Sequence, residues 1–188
     1  DLGSKEKENV QKYYQKNVFP VLTPLSVDPG HPFPFISNLS TSLGVTLRHP
    51  DKDEKLFARV KIPQVLPQWV RVSEHRFISL IDLIKENLAD LFPSMQVLNV
   101  MPFRLTRNAD IERDEEDAED LLSMIEEELR MRRFAEVVRL EHGPKPDPWI
   151  LKFLSEELDL SEDDIFEMPE ELDFRGLSAI SDLPEATL

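Results

Sequence analysis

Alternating apolar and polar positions predict a β-hairpin in the first third of the chain. Leu43, Val45 and Leu47 alternate with polar neighbours, and after the turn-like run Pro50–Asp53 the alternation resumes over Leu56–Ile62. Successive side chains of a strand point to opposite faces of a sheet, so this pattern is typical of two paired strands. We therefore expect a hairpin with one buried face.

A short strand is predicted near Arg76, and a helix is predicted directly after it. Ser79 and Asp82 resemble a capping box, and the apolar positions behind them recur at helical spacing as far as Leu91. Pro93 follows, and proline cannot continue a helix. The sequence thus predicts a capped helix that ends before Pro93.

The second half of the chain carries further strands and helices. The strand alternation changes parity after Pro102, which is typical of an edge strand or a bulge. The nearly all-acidic run 112–120 leads a predicted long helix, and a strand is predicted over 136–142. Asp147 followed by Pro148 predicts the start of another helix. This order of elements indicates an α+β domain, with helices packed on a mainly antiparallel or mixed sheet.

The N-terminal region divides into two parts of different character. We interpret residues 1–17, which are polar and helix-permissive, as the helical end of a preceding N-terminal domain or a linker, and residues 18–188 as one domain. Between Val18 and Phe35 five prolines exclude a regular helix. We expect this stretch to follow a long extended path that its aromatic side chains hold in place.

Charge and cysteine content narrow the classes of partner and site. The 188 residues include 22 basic and 37 acidic side chains, which gives a net charge of −15, and no cysteine. A polyanion meets long-range repulsion from such a surface, so nucleic acid is disfavoured as a partner. The lack of cysteine excludes disulfides, thiolate zinc sites and cysteine nucleophiles, and fits a cytoplasmic protein. No apolar run approaches the roughly 18 residues of a membrane span, so none is expected.

The sequence gives little support for an ATP-binding site or a metal site within this chain. No GxxxxGK[ST] run is present to hold the phosphates of ATP, and the histidines lack the spacing of a zinc site. His31 lies between Gly30 and Pro32 in a rigid segment that would fix an imidazole for proton or phosphoryl transfer. The alternative is that His31 hydrogen-bonds the extended backbone, and we favour it because the sequence shows no orienting partner.

Arg104 and Arg107 are candidate contacts for phosphate. In the sequence they are followed closely by Asn108 and Asp110, and their guanidinium groups would supply paired donors to phosphate oxygens. The alternative is that they pair with nearby carboxylates, which the charge of −15 favours.

Several long segments together resemble the polyphosphate kinase family. The resemblance covers nearly the whole chain from about Tyr13 onward. It is carried by Tyr13-Tyr14, Val18–Leu25, Asp28–Ser40 and Phe103–Asp110, and it continues through Glu126–Arg130 and Val137–Leu140.

The resemblance implies the head, or middle, domain of an enzyme that reversibly transfers the terminal phosphate of ATP to polyphosphate. In this family the phosphorylated histidine and the arginines that bind magnesium and ATP belong to C-terminal domains that have no match here. No catalytic, cofactor-binding or metal residue is therefore assigned, and the fragment alone is expected to be inactive. ATP and Mg²⁺ are expected for the parent enzyme only.

The resemblance also implies partners and a fold. The family's head domain supports subunit dimerisation, packs with the remaining kinase domains and lines the passage of the polyphosphate chain. Its fold resembles that of the phosphohistidine phosphatases. Arg104 and Arg107 would then be the local contacts to polyphosphate.

Two other functions are weighed beside this one. The first is a stand-alone phosphatase or phosphotransferase that uses His31 as its nucleophile, which requires a basic phosphate pocket around that residue. The second is an acidic docking module for a basic protein, driven by residues 112–120, whose binding would depend strongly on salt.

Overall fold

A mixed β-sheet forms the centre of the computed structural model, which describes residues 2–28, 30, 33–73, 76–108, 135–168 and 172–181. Within these ranges six strands pair in the order β1-β3-β2-β6-β7-β8, and two more form a separate ribbon, β4-β5. The strands are β1 (Pro24–Val27), β2 (Thr41–Arg48), β3 (Lys55–Lys61), β4 (Trp69–Ser73), β5 (Arg76–Ser79), β6 (Gln96–Arg107), β7 (Val137–His142) and β8 (Ile165–Glu167).

Most neighbouring strands run antiparallel, and β7 and β8 run parallel, so the sheet is mixed. The helices are α1 (Ser4–Tyr13), α2 (Leu80–Glu86), α3 (Leu88–Leu91), α4 (Pro148–Leu158) and α5 (Ser178–Ser181). A short π-helix spans Tyr14–Val18, and short 3₁₀ helices span Phe19–Val21, Glu162–Asp164 and Phe174–Leu177. The α+β class and the mixed sheet are as predicted.

Helices cover both faces of the sheet. On the first, which we call the α1 face, strand residues such as Leu43 and Val45 pack with Tyr14 and Val18 at the end of α1 and with side chains of α2. On the second, the α4 face, Phe57 and other strand residues pack against α4. The domain therefore has two apolar cores with the sheet between them.

The two helix starts read from capping residues are confirmed. The Ser79 hydroxyl accepts a hydrogen bond from the Asp82 backbone N–H at 3.4 Å, at the start of α2. The Asp147 carboxylate accepts one from the Ile150 N–H at 2.8 Å, at the start of α4. These caps satisfy backbone donors that the first turn leaves without a partner, so local chemistry fixes where each helix begins.

The prediction of one buried face for the hairpin is wrong for β2. Seven of the eight β2 residues are buried, from Thr41 to Leu47. The polar positions Ser42 and Thr46 are buried on the α4 face of the strand rather than exposed to water. Gly44 allows this close cover, since a Cβ there would lie 2.8 Å from Cγ2 of Ile150.

The strand around Pro102 is not an edge strand. β6 lies between β2 and β7, and Pro102 pairs with Leu43 inside the sheet. No bulge accompanies Pro102 either, because the β2–β6 register is continuous from Asn99 to Arg104; the register shift in this strand pair lies earlier, between Val97 and Asn99. That shift places Val97 and Val100 on the same α1 face, and ordinary strand alternation from Val100 onward directs Met101, Phe103 and Leu105 to the α4 face. The predicted long helix after residue 112 lies outside the described residues.

Candidate functional site

The segment 33–39 crosses the α4 face of the sheet. The ring of Phe33 lies 6.0 Å from Phe57 and 6.1 Å from Phe153 of α4, centroid to centroid. Phe153 in turn stacks on Phe57 at 4.6 Å and on Trp149 at 5.7 Å. Aromatic pairs at these distances stabilise beyond the area they bury. Part of the proline-aromatic stretch is thus held by its rings, as the sequence predicts.

Arg107 holds the same segment through its backbone. Its Nε donates to the carbonyl of Ile36 at 2.9 Å, and its guanidinium lies 4.7 Å from the ring centroid of Phe35. Its backbone N–H donates to Oδ1 of Asn38 at 2.9 Å, and its Nη1 donates to the carbonyl of Ala135 at 2.6 Å. Partial burial lowers the pKa of Arg107 from its ordinary value. One arginine therefore connects three parts of the chain.

Arg59 of β3 lies beneath the same segment and is only 5% exposed. Its Nη1 donates to the carbonyl of Phe35 at 3.2 Å, and its Nε donates to the hydroxyl of Ser42 at 3.1 Å. Burial lowers the pKa of Arg59 to about 10, so the group stays charged at neutral pH. Arg59 and Arg107 together bind the consecutive carbonyls of residues 35 and 36.

Arg104 lies on the other face of the sheet. Its Nη1 donates to the carbonyl of Leu172 at 2.6 Å, and its cross-strand neighbour on β2 is Thr41. Side chains three positions apart on a strand point to opposite faces, which accounts for its separation from Arg107. The structure does not bring the two predicted phosphate contacts together into one site.

The hydrogen bonds found for these arginine side chains go to main-chain carbonyls and a hydroxyl. Within the described ranges no carboxylate forms an ion pair with Arg104 or Arg107, and the acidic residues next to them in sequence lie outside those ranges, so the carboxylate alternative stays open. Each guanidinium still has donors beyond those that these bonds use. Contact of either residue with phosphate stays a prediction.

Two other predicted features lie outside the described residues. These are His31 and the acidic run 112–120. Among the residues that the structure does describe, no group of three or more histidine, aspartate or glutamate side chains is placed to hold a metal ion. No helix in those same ranges is long and apolar enough to cross a membrane.

Sequence reasoning missed Arg59. It occupies the polar parity of a strand, between Ala58 and Val60, where alternation predicts a solvated side chain. One feature of the sequence does point to this burial. The helix predicted after Asp147 has its own apolar stripe, and that stripe must pack on a second face of the sheet, where the polar positions of the strands lie.

Comparison with known proteins decides the family. The family model described as "Polyphosphate kinase middle domain" matches residues 5–180. The chain belongs to the polyphosphate kinase family. It is 43% identical over 187 residues to a polyphosphate kinase of Streptomyces coelicolor, which covers 98% of this chain and 25% of that protein. It is 44% identical over 196 residues to a polyphosphate kinase of Synechocystis, and this match covers 97% of this chain and 26% of that protein.

A solved structure of the same family shares the fold. The crystal structure of polyphosphate kinase from Porphyromonas gingivalis superposes with a TM-score of 0.71 at 18% identity, over 98% of this chain and 26% of that one. The chain therefore spans about a quarter of the length of the polyphosphate kinases it matches.

Proposed function

We propose that this chain is the non-catalytic head domain of a polyphosphate kinase. The parent enzyme would reversibly transfer the terminal phosphate of ATP to polyphosphate, and this domain would support its dimerisation and line the passage of the product. The observation that carries the proposal is the match of 98% of the chain to one quarter of a polyphosphate kinase. Neither the His31 phosphotransferase nor the acidic docking module gains support from these relatives.

The charges of the described residues support a non-catalytic role. Arg59 and Arg107 bind backbone carbonyls, and those bonds order a segment rather than position a nucleophile. The net charge of −15 repels a polyphosphate chain from most of the surface, so strong binding of that chain is left to other domains. The donors of Arg104 and Arg107 beyond these bonds are the proposed local contacts with polyphosphate.

Several finer statements belong to the same proposal. We place the boundary with the preceding helical domain or linker after residue 17, and we expect a likeness to the phosphohistidine phosphatase fold. On the basis of the chain's resemblance to the family, ATP and Mg²⁺ are assigned to the other domains of the parent enzyme. The parent is expected to be a cytoplasmic homodimer.

The proposal is tested by phosphorylation from labelled ATP, run side by side on this chain and on the full-length protein. We expect label and polymer with the full-length protein only. Labelling of the 188-residue chain itself would overturn the non-catalytic assignment and favour chemistry at His31.

A further inference from the structure

A cavity of about 420 Å³ lies against the α1 face of the sheet. Its size falls within the range of small-molecule sites in proteins, roughly 300–1,000 Å³. The polar part of its lining includes Gln68 and Asp173. The apolar part belongs to the core of the α1 face and consists mainly of Ile62, Leu66, Leu80 and Ile81. An apolar surface next to a few polar groups is the usual composition of a ligand site.

Hydrogen bonds connect the walls of this cavity to one another. The backbone N–H of Leu80, at the start of α2, donates to the carbonyl of Gln68 at 2.8 Å. The side-chain amide of Gln68 donates to the carbonyl of Asp173 at 2.9 Å. The backbone N–H of Ile62, just after β3, donates to the carbonyl of Thr41 at 3.0 Å. Because the protein's own bonds set the shape of the cavity, a ligand does not have to order its walls on binding.

Gly176, another lining residue, determines where the Gln68 side chain lies. A Cβ added at Gly176 would lie 2.6 Å from Cδ and 2.8 Å from Cβ of Gln68, which is closer than non-bonded carbon atoms pack. Any larger residue at position 176 would therefore displace Gln68. This wall of the cavity depends on a contact that only glycine allows.

Two polar side chains of the lining offer acceptor oxygens. The amide nitrogen of Gln68 donates to Asp173, and its Oε1 can only accept. The carboxylate of Asp173 also only accepts, and its two oxygens have room for several hydrogen bonds. The lining residues that the structure describes include no lysine, arginine or histidine to hold a phosphate group. The cavity therefore favours a ligand that brings N–H donors.

Charge favours a cation over an anion at this site. The net charge of the sequence is −15, and a field of that sign attracts cations and repels anions. Gln68 and Asp173 are half-buried, so an ammonium group beside them keeps part of its contact with water and avoids much of the cost of desolvation. The apolar part of the lining gives a ring or hydrocarbon chain a surface to pack against.

We propose that this cavity binds a small organic amine, a molecule with one ammonium group on an apolar ring or hydrocarbon body. The ammonium group donates to Oε1 of Gln68 and to the carboxylate of Asp173, and the body packs against Ile62 and Leu80. Such a ligand differs in charge from ATP and polyphosphate, so this site is separate from the function proposed above.

Three molecules that share one apolar body test the class of ligand: phenethylamine, phenethyl alcohol and phenylpropionate. Their dissociation constants are measured by titration calorimetry with the full-length protein. We expect phenethylamine to bind about tenfold more tightly than the alcohol, because hydrogen bonds between charged groups are stronger than neutral ones, and phenylpropionate to show no binding. Equal affinities of amine and alcohol, tighter binding of the acid, or no binding of the amine would overturn the proposal.

A photoreactive probe locates the site in the unmodified full-length protein. An azido derivative of phenethylamine is irradiated with the protein, and peptide mass spectrometry identifies where it attaches. We expect the label within residues 62–68 and 172–177, and an excess of phenethylamine should suppress it. A label confined to other peptides, or spread over many acidic ones, would mean that amines bind this protein elsewhere or without a specific site.

A pair of glycine variants checks the role of the Gln68 wall. Gly176→Ala should lower the affinity for phenethylamine by about tenfold, since the new methyl group displaces the Gln68 amide. Gly3→Ala is the matched control, where the added Cβ meets Oε2 of Glu6 at an ordinary 3.6 Å, and it should leave the affinity unchanged. Equal affinities in the two variants would contradict binding at this wall.

Asp173→Asn separates the charge of the site from its shape, because the two side chains are nearly the same size. The variant should bind phenethylamine about tenfold more weakly and phenethyl alcohol as before. A parallel loss for both molecules would show that Asp173 maintains the fold of the wall and does not bind the ammonium group. None of these measurements requires polymer synthesis, so their outcome is independent of the test of the proposed function.

Discussion

On the α1 face of the sheet, buried strand residues such as Leu43, Val45 and Val60 meet helices through apolar side chains. On the α4 face, Ser42 and Arg59 are buried beside aromatic rings. The difference follows from what covers each face. Helices satisfy their own backbone groups, whereas the extended segment 33–39 brings carbonyls that need donors from beneath.

The α4 face therefore depends on a few polar residues as well as on apolar area. Arg59 and Arg107 supply donors to consecutive carbonyls of that segment. The segment also belongs to the stretch Asp28–Ser40 that carries much of the family resemblance. Ring packing therefore constrains the side chains of this segment, and the hydrogen bonds to its carbonyls constrain the arginines beneath it.

The largest effect is expected in the aromatic cluster of the α4 face. Phe57→Ala should lower the free energy of unfolding by about 3–5 kcal/mol, because it leaves a cavity between Phe33 and Phe153. Denaturant unfolding of the 188-residue chain measures it. Phe19→Ala, at an exposed ring, is the control and should cost far less. Similar losses in the two variants would mean that the rings do not form a packed core.

Close helix cover of β2 predicts a cost for adding a single methyl group. Gly44→Ala should destabilise by about 1–3 kcal/mol, since the new Cβ would lie 2.8 Å from Ile150 and 3.1 Å from Phe57. In the double variant with Ile150→Ala the added methyl enters vacated space, so the total should be smaller than the sum of the single effects. Strict additivity would contradict direct contact between α4 and Gly44.

Replacing the buried arginine separates its charge from its packing. Arg59→Ala should lower the free energy of unfolding by about 2–3 kcal/mol, through lost hydrogen bonds and lost contact of the aliphatic stem. Arg59→Met keeps most of the stem and removes the desolvated charge, so it should cost about 1 kcal/mol less. Hydrogen exchange of residues 33–39 should rise in both variants. Unchanged exchange would show that Arg59 does not order this segment.

The α1 face offers a pH test with a smaller effect. Burial, and to a smaller extent the negative charge of Asp90, raises the pKa of Tyr14 from its ordinary value of 10.0 to about 12. The folded state holds this proton more tightly than the unfolded state, so its contribution to stability is complete below pH 10 and is lost as pH rises towards 12. Phenolate absorbance should show one late-titrating tyrosine, and Tyr14→Phe should remove it. If Tyr14→Phe left the late-titrating absorbance in place, burial of the Tyr14 ring would be contradicted.

The comparison also shows where sequence reasoning succeeds. Alternation locates the apolar positions of the α1 face, and the caps at Ser79 and Asp147 locate two helix starts, because these signals depend on neighbouring residues. The α4 face is harder to predict. Ser42, Thr46 and Arg59 occupy positions that alternation assigns to solvent, and they are buried because this face is covered both by α4, from much later in the chain, and by the segment 33–39, which bonds Arg59.

The candidate phosphate contacts illustrate the same limit. Strand parity alone separates Arg104 from Arg107, and the structure agrees with that separation. What each guanidinium binds could not be predicted, since its acceptors, the carbonyls of residues 36, 135 and 172, are distant along the chain or set by tertiary contact.

The most direct test of the account is to locate the phosphorylated residue in the full-length protein after reaction with ATP. Mass spectrometry under conditions that preserve phosphohistidine identifies the modified peptide. We predict that the phosphorylated residue lies outside this 188-residue sequence, and that His31 is unmodified. Phosphate on His31, or anywhere else within these residues, would contradict the assignment of a non-catalytic head domain.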